Sequence, residues 1–123
     1  MKRSQVARAQ ALASAQEWLD AWNANDPQRV VAHFTEDVVV HSPLVGQLRP
    51  GSNGELRGKD QVLSYYRDGL AASPGLRFSL VEVCTGIEDI TIVYRDHRDV
   101  LVTEALTLRE DGLACEVRVS YGA

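Results

Sequence analysis

Residues Val100–Arg109, VLVTEALTLR, alternate between two kinds of side chain. Successive residues of a β-strand point to opposite faces of a sheet. One face carries Val100, Val102, Glu104, Leu106 and Leu108; the other carries Leu101, Thr103, Ala105, Thr107 and Arg109. The first face is apolar except for one acid at its centre. If it covers a core or a pocket, Glu104 is a carboxylate in apolar surroundings, which must find a partner, keep its proton or serve a purpose. Two readings stand. Glu104 is the functional group of a pocket wall, or it is structural, paired with an arginine of a neighbouring strand or facing water at a twisted edge.

Working outward, Leu76–Cys84, Ile90–Arg95 and Leu113–Tyr121 are further β-rich runs, separated by short polar turns such as Glu110-Asp111-Gly112. Short turns imply an antiparallel meander. Upstream the period changes. Ser4–Asn25 reads as a helix, with Leu12, Ala15, Leu19 and Trp22 at three- and four-residue spacing and Trp18 beside them. Asp26-Pro27 restarts a helix as N-cap and first helical residue, with Val30, Val31 and Phe34 inward. Thr35-Glu36-Asp37 turns the chain into the strand Val38–His41, ended by Ser42-Pro43. Val45–Arg57 reads as a loop, for it holds Gly46, Pro50, Gly51 and Gly54. Gly58–Ala72 is a helix with Val62, Leu63, Tyr66 and Leu70 inward. Helices segregated before a run of strands predict an α+β domain, a curved antiparallel sheet covered by N-terminal helices and enclosing a conical cavity. Residues 1–123 form one domain by this reading.

The chain has 123 residues, is 45% hydrophobic and 24% charged, and carries a net charge of −4 without a block of like charge. A nucleic-acid backbone binder needs a concentrated basic face, so that class is excluded. No apolar run is long enough to cross a bilayer. Met1-Lys2-Arg3 resembles the start of a signal peptide, but no apolar core follows, and Glu17 and Asp20 soon arrive. Cys84 and Cys115 show no C-x-x-C pair and no metal spacing. Buried thiols in a reducing cytoplasm are the simplest account.

With Trp18, the Glu36–Leu44 segment and Glu104 placed, the chain resembles the nuclear transport factor 2-like superfamily. Within it, the resemblance is to SnoaL-like polyketide cyclases and ketosteroid isomerases. The best stretch is AQEWLDAWNANDPQRVVAHFTEDVVVHSPL, Ala15–Leu44, followed by G-K-D-Q-V at Gly58–Val62. The resemblance covers nearly the whole chain. It implies a cystatin-like α+β cone with a pocket, dimers formed through the sheet, and no obligatory cofactor. Isomerases of the family use an acid just before the proline that ends the first strand. An aromatic hydroxyl on the first helix and a second carboxylic acid on a late strand hold the oxyanion. The matching positions here are Ser42, Trp18 and Glu104. Only Glu104 keeps an acid; serine is no base unaided, and tryptophan has an N–H but no hydroxyl. The resemblance therefore implies a protein that is not a standard ketosteroid isomerase. Superfamily epoxide hydrolases pair an arginine with acids inside the pocket, and Arg95-Asp96-His97-Arg98-Asp99 lies too close to a strand turn to match.

The candidate catalytic residues are Glu104 as acid or base, with His41 or a water on Ser42 assisting. Strand alternation sends His41 to the face opposite Ser42 unless Ser42-Pro43 bends the chain. Trp18, Trp22, Phe34, Tyr66, Val102 and Leu106 are the candidate apolar contacts. The histidines His33, His41 and His97 have no metal-ligand spacing. The expected partner is a small apolar carbonyl compound, together with a second copy of the chain. Leu101, Thr103, Ala105 and Thr107, with Val117 and Val119, supply the weakly polar face for that copy. The function expected is isomerase- or cyclase-type acid–base catalysis. The alternative is a non-catalytic ligand-binding or dimerising domain of the same fold.

Overall fold

The computed structural model describes residues 5–122. Met1-Lys2-Arg3 and the expected helix start at Ser4 lie outside the described residues. Helix α1 spans Arg8–Asn23 and buries Ala11, Ala15, Trp18, Leu19, Ala21 and Trp22. Leu12, expected inward, is 44% exposed. Two tryptophans and small alanines set the buried stripe, and the residue after Ala11 is rotated about 100° away from it. Helix α2, Pro27–Val31, is capped by Asp26, whose side chain accepts the Arg29 backbone N–H at 3.2 Å.

Strand β1 runs Phe34–His41, longer than the expected Val38–His41. The expected turn at Thr35–Asp37 is absorbed into the strand as an irregularity in its pairing. Helix α3, Pro43–Leu48, and strand β2, Glu55–Arg57, stand where the glycines suggested only a loop. Ser42 starts α3 as its cap, its hydroxyl accepting the Leu44 N–H at 3.3 Å. Gly54 at φ +74° lets the backbone close on Ser42, whose N–H donates to the Gly54 carbonyl at 2.8 Å. Helix α4, Lys59–Ala72, buries Val62, Tyr65, Tyr66 and Leu70.

The remaining strands are β3 Ser79–Thr85, β4 Asp89–Arg95, β5 Leu101–Leu108 and β6 Ala114–Tyr121. They pair as the antiparallel meander the turns imply. The six strands form one curved, unclosed sheet in the order β2-β1-β6-β5-β4-β3. The sheet is not wholly antiparallel: β1 lies parallel to β6, with Val40 opposite Val117. That pairing joins segments far apart in the chain, so no local pattern announces it. The fold class is the α+β cone expected.

The outer face differs from expectation in two residues. Val117 is fully buried and Val119 points inward, so neither belongs to it. Register instead places Thr91 and Val93 of β4 and Arg118 and Ser120 of β6 beside Ala105 and Thr103. Among the described residues, no helix is long and apolar enough to cross a membrane.

One side chain ties the helical layer to the sheet. Asn23, the last residue of α1, accepts the Phe78 N–H at 2.7 Å and donates to the Phe78 carbonyl at 2.9 Å. It replaces a backbone partner for a residue that stands just before β3. Asn23→Ala removes both bonds and leaves two half-buried backbone groups without them. Urea unfolding should show a loss of about 2 kcal/mol at unchanged m-value.

Candidate active site

A cavity of about 310 Å³ opens between the helices and the inner face of the sheet. Trp22 from α1, Val45 and Leu48 from α3 and Tyr66 from α4 form its helical side. Phe78, Tyr94, Val102 and Val119 form its sheet side. Glu104 lies on that wall at 4% exposure.

The partner of Glu104 is a phenol and not an arginine. The Tyr94 hydroxyl donates to Glu104 Oε2 at 2.5 Å. Strand pairing explains the meeting: Ile92 stands opposite Glu104 and Tyr94 opposite Val102, so Tyr94 lies diagonal to the acid on the same face. Burial pushes the Glu104 carboxyl up to about 7, with the Tyr94 hydrogen bond pulling the other way. Burial also pushes the Tyr94 and Tyr66 phenols well above their ordinary value, and the neighbouring Glu104 charge adds to this. Both phenols therefore remain donors at neutral pH, while the acid is poised between its two forms.

Aromatic rings hold Tyr94 in place. Its ring centroid lies 4.5 Å from Phe78 and 5.8 Å from Trp18. Trp22 continues the cluster, 5.5 Å from Phe78 and 4.6 Å from Tyr66. Such a wall is apolar, and burial against it raises the acid.

The structure brings together Glu104, Ser42, Trp22, Tyr66 and Val102 around this cavity. It does not bring the other candidates there. Trp18 and Leu106 wall a second cavity of about 30 Å³, because Tyr94 stands between Trp18 and the larger space. Phe34 is fully buried, its ring 6.3 Å from Tyr66. His41 points to the opposite face of the sheet, where its Nε2 meets Glu116 at 3.3 Å and its Nδ1 meets Glu55 at 3.8 Å. The bend at Ser42-Pro43 begins a helix and does not turn His41 inward. Ser42 reaches the cavity, but its hydroxyl caps α3.

Sequence reasoning missed Tyr94, Tyr121 and the Asp96-His97-Arg98 turn, all of which line the cavity. Tyr94 was findable: Ile90, Ile92 and Tyr94 share one strand phase, and all three are buried. Arg95–Asp99 is a strand turn as expected, but three of its residues line the cavity. Among the described residues, no group of three or more His, Cys, Asp or Glu could hold a metal ion.

Comparisons with known proteins agree with this architecture. No curated protein matches the chain. A SnoaL-like protein of unknown function from Burkholderia thailandensis superposes at TM-score 0.93 with 29% identity, over 98% of this chain and 100% of that one. A candidate ketosteroid isomerase from Kribbella flavida follows the same fold at TM-score 0.72 and 16% identity, covering 94% and 79% of the two chains. The epoxide hydrolase/cyclase-like enzyme SalBIII, of pyran ring formation in the polyether salinomycin, is similar at TM-score 0.69 and 15% identity, covering 93% and 92%. The sequence model of the SnoaL-like domain matches residues 15–117, and the chain belongs to that family.

Proposed function

We propose that this protein catalyses proton transfer on a small apolar carbonyl compound, as an isomerase or cyclase. The observation that carries the reading is a buried carboxyl poised near neutrality, on the wall of an open cavity, with a phenol in hydrogen-bond contact. Neighbours of the same fold that are described as isomerase- or cyclase-like support it. Glu104, ionised, takes a proton from the carbon next to the carbonyl. The C–H electron pair moves into the new C=C bond, and the carbonyl π pair moves onto oxygen. Tyr66 donates a hydrogen bond to that oxygen. Glu104 then returns its proton to the same carbon or to another. Tyr94 is a positioning residue, since it holds the carboxyl and favours its ionised form. Trp22 and Val102 exclude water from the reacting carbon.

Ser42 favours a second reading, a non-catalytic ligand-binding domain, because its hydroxyl is committed to capping a helix. Cys84 is exposed and Cys115 half-buried, not the buried thiols expected, and we assign either activity to the cytoplasm, where both free thiols would stay reduced. We also infer a homodimer formed through Leu101, Thr103, Ala105 and Thr107. Sedimentation at micromolar concentration should give twice the chain mass of 13.6 kDa.

Deuterium exchange of 2-acetylnaphthalene in D₂O, followed by NMR, separates catalysis from mere binding. The catalysed rate should rise with pH through about 7, as Glu104 ionises, and then level off. Glu104→Gln should reduce it about 10²-fold or more. Tyr94→Phe should move the inflection to higher pH, because the lost hydrogen bond favoured the carboxylate. Binding of the ketone without exchange would decide for the second reading.

The same carboxyl predicts a pH-dependent stability. Its native value, about 7, lies above the ordinary unfolded value, about 4.3. The native state then holds the proton more tightly, so stability falls as pH rises across that window. Above it the charged carboxylate costs the fold about 4 kcal/mol, at roughly 1.4 kcal/mol per tenfold change in proton affinity. Glu104→Gln keeps the shape without the charge. Urea unfolding should find it more stable than wild type at pH 8 and nearly equal at pH 4. A mutant weaker at pH 8 would show that the ionised carboxylate gains more from its hydrogen bond with Tyr94 than it loses by desolvation.

A further inference from the structure

We propose that Arg98 is a specificity-determining residue that binds a carboxylate at the outer end of the ligand whose carbonyl meets Glu104. The proposal rests on the cavity being a ligand site. The turn between β4 and β5 lies at its mouth, and Asp96, His97 and Arg98 all line it. Asp96 builds the turn. Its side chain, 6% exposed, accepts the backbone N–H groups of Arg98 at 2.9 Å and Val100 at 3.1 Å. It also accepts Arg98 Nε at 3.3 Å and Nη2 at 2.9 Å. Burial pushes the Asp96 carboxyl up, but these bonds outweigh it and hold the group below its ordinary value.

Asp96 is thus spent within the turn, and it fixes the guanidinium along one edge. Among the described residues, Arg98 Nη1 makes no hydrogen bond, and the side chain is 62% exposed. A planar guanidinium held on one edge and free on another suits a carboxylate, which it binds with charge-assisted hydrogen bonds. Tyr121 lines the same cavity as Arg98. Among the described residues, no basic side chain other than His97 and Arg98 lines the cavity. Arg49 is outside it, stacked on Tyr65 at 5.3 Å and paired with Asp68 at 2.6 Å.

The strand measures the ligand. Val100, at the turn, and Glu104 are four residues apart on the chain, about 13 Å at roughly 3.3 Å per residue. Val102 lies between them on the cavity wall. The volume, about 310 Å³, is near the lower end of the range for small-molecule sites, roughly 300–1,000 Å³. The ligand class is therefore an elongated apolar keto acid of one or two rings, with its carbonyl at one end and its carboxylate at the other.

Two probes share a naphthyl ketone body and differ in that carboxylate: 2-acetylnaphthalene and 6-acetyl-2-naphthoate. Calorimetric titration of the wild type should find the acid bound about tenfold more tightly, with the preference shrinking as salt is added. Arg98→Met should erase the preference and leave 2-acetylnaphthalene bound as before, which also reports an intact cavity. Equal binding of the two probes to the wild type, or equal weakening of both in Arg98→Met, would overturn the proposal. Failure of both probes to bind would overturn the cavity as a ligand site as well. Binding and exchange of 2-acetylnaphthalene with no advantage for the acid would remove the Arg98 proposal alone.

Discussion

The hydrogen bond from Tyr94 to Glu104 governs what the interior can do. A carboxyl at 4% exposure is expensive if charged, and a neutral phenol offsets only part of that expense. An arginine in the same place would hold the acid ionised at every physiological pH and fill the space beside it. The phenol leaves the acid able to change state near neutrality and leaves the cavity open. The aromatic cluster of Trp18, Phe78 and Trp22 serves this pair by fixing the Tyr94 ring and keeping water from its hydroxyl. The packing of α1 against the sheet and the poise of Glu104 are thus one constraint.

The sequence made the parts with strong local period legible. The alternation of VLVTEALTLR put Glu104 inward, and the structure buries it beside Val102 and Leu106. The helical spacing around Trp22 and Tyr66 put both rings inward. Legibility failed where structure depends on distant pairing or on short elements. Helix α3 is six residues long and includes Gly46, so no periodic stripe could identify it; its start is set by the Ser42 cap. The parallel pairing of β1 with β6 brings together Val40 and Val117, far apart in the chain. Strand phase says which face a residue takes and not how far along that face the open space extends. Trp18 and Phe34 are inward as expected, yet Tyr94 and Tyr66 cover them from the larger cavity. The Asp96–Arg98 turn is illegible for a different reason: its composition is that of any polar strand turn, and the buried Asp96 side chain that organises it is visible only in the fold.

The cavity is polar at its two ends and apolar between them. At the inner end the polar groups are buried and their protons are held tightly. At the mouth, Arg98 is well exposed, so its charge is screened and its pairing with any ligand is correspondingly modest. In the proposed mechanism such a gradient separates tasks: the exposed end would select and orient, where an error in charge costs little stability, and the buried end would do the chemistry, where one proton is worth most. The stiff strand β5 connects them through Val102, so distance between recognition and reaction is a property of the sheet and not of a mobile loop.

Conservation of stability alone would not keep an acid at position 104. Apolar residues of similar size would pack against Val102, Leu106 and the rings without the desolvation cost. The fold would gain by the exchange and would lose a buried group on its inner wall whose charge changes near neutral pH. A site that lowers stability while remaining well packed is what the opposition between stability and activity produces. By the same logic, Tyr94 must be weighed by its effect on the acid more than by its own burial. Its ring could be replaced by phenylalanine with little change in packing, but the carboxyl would then lose its hydrogen-bond donor, and its proton affinity would rise further from the value that suits neutral-pH catalysis.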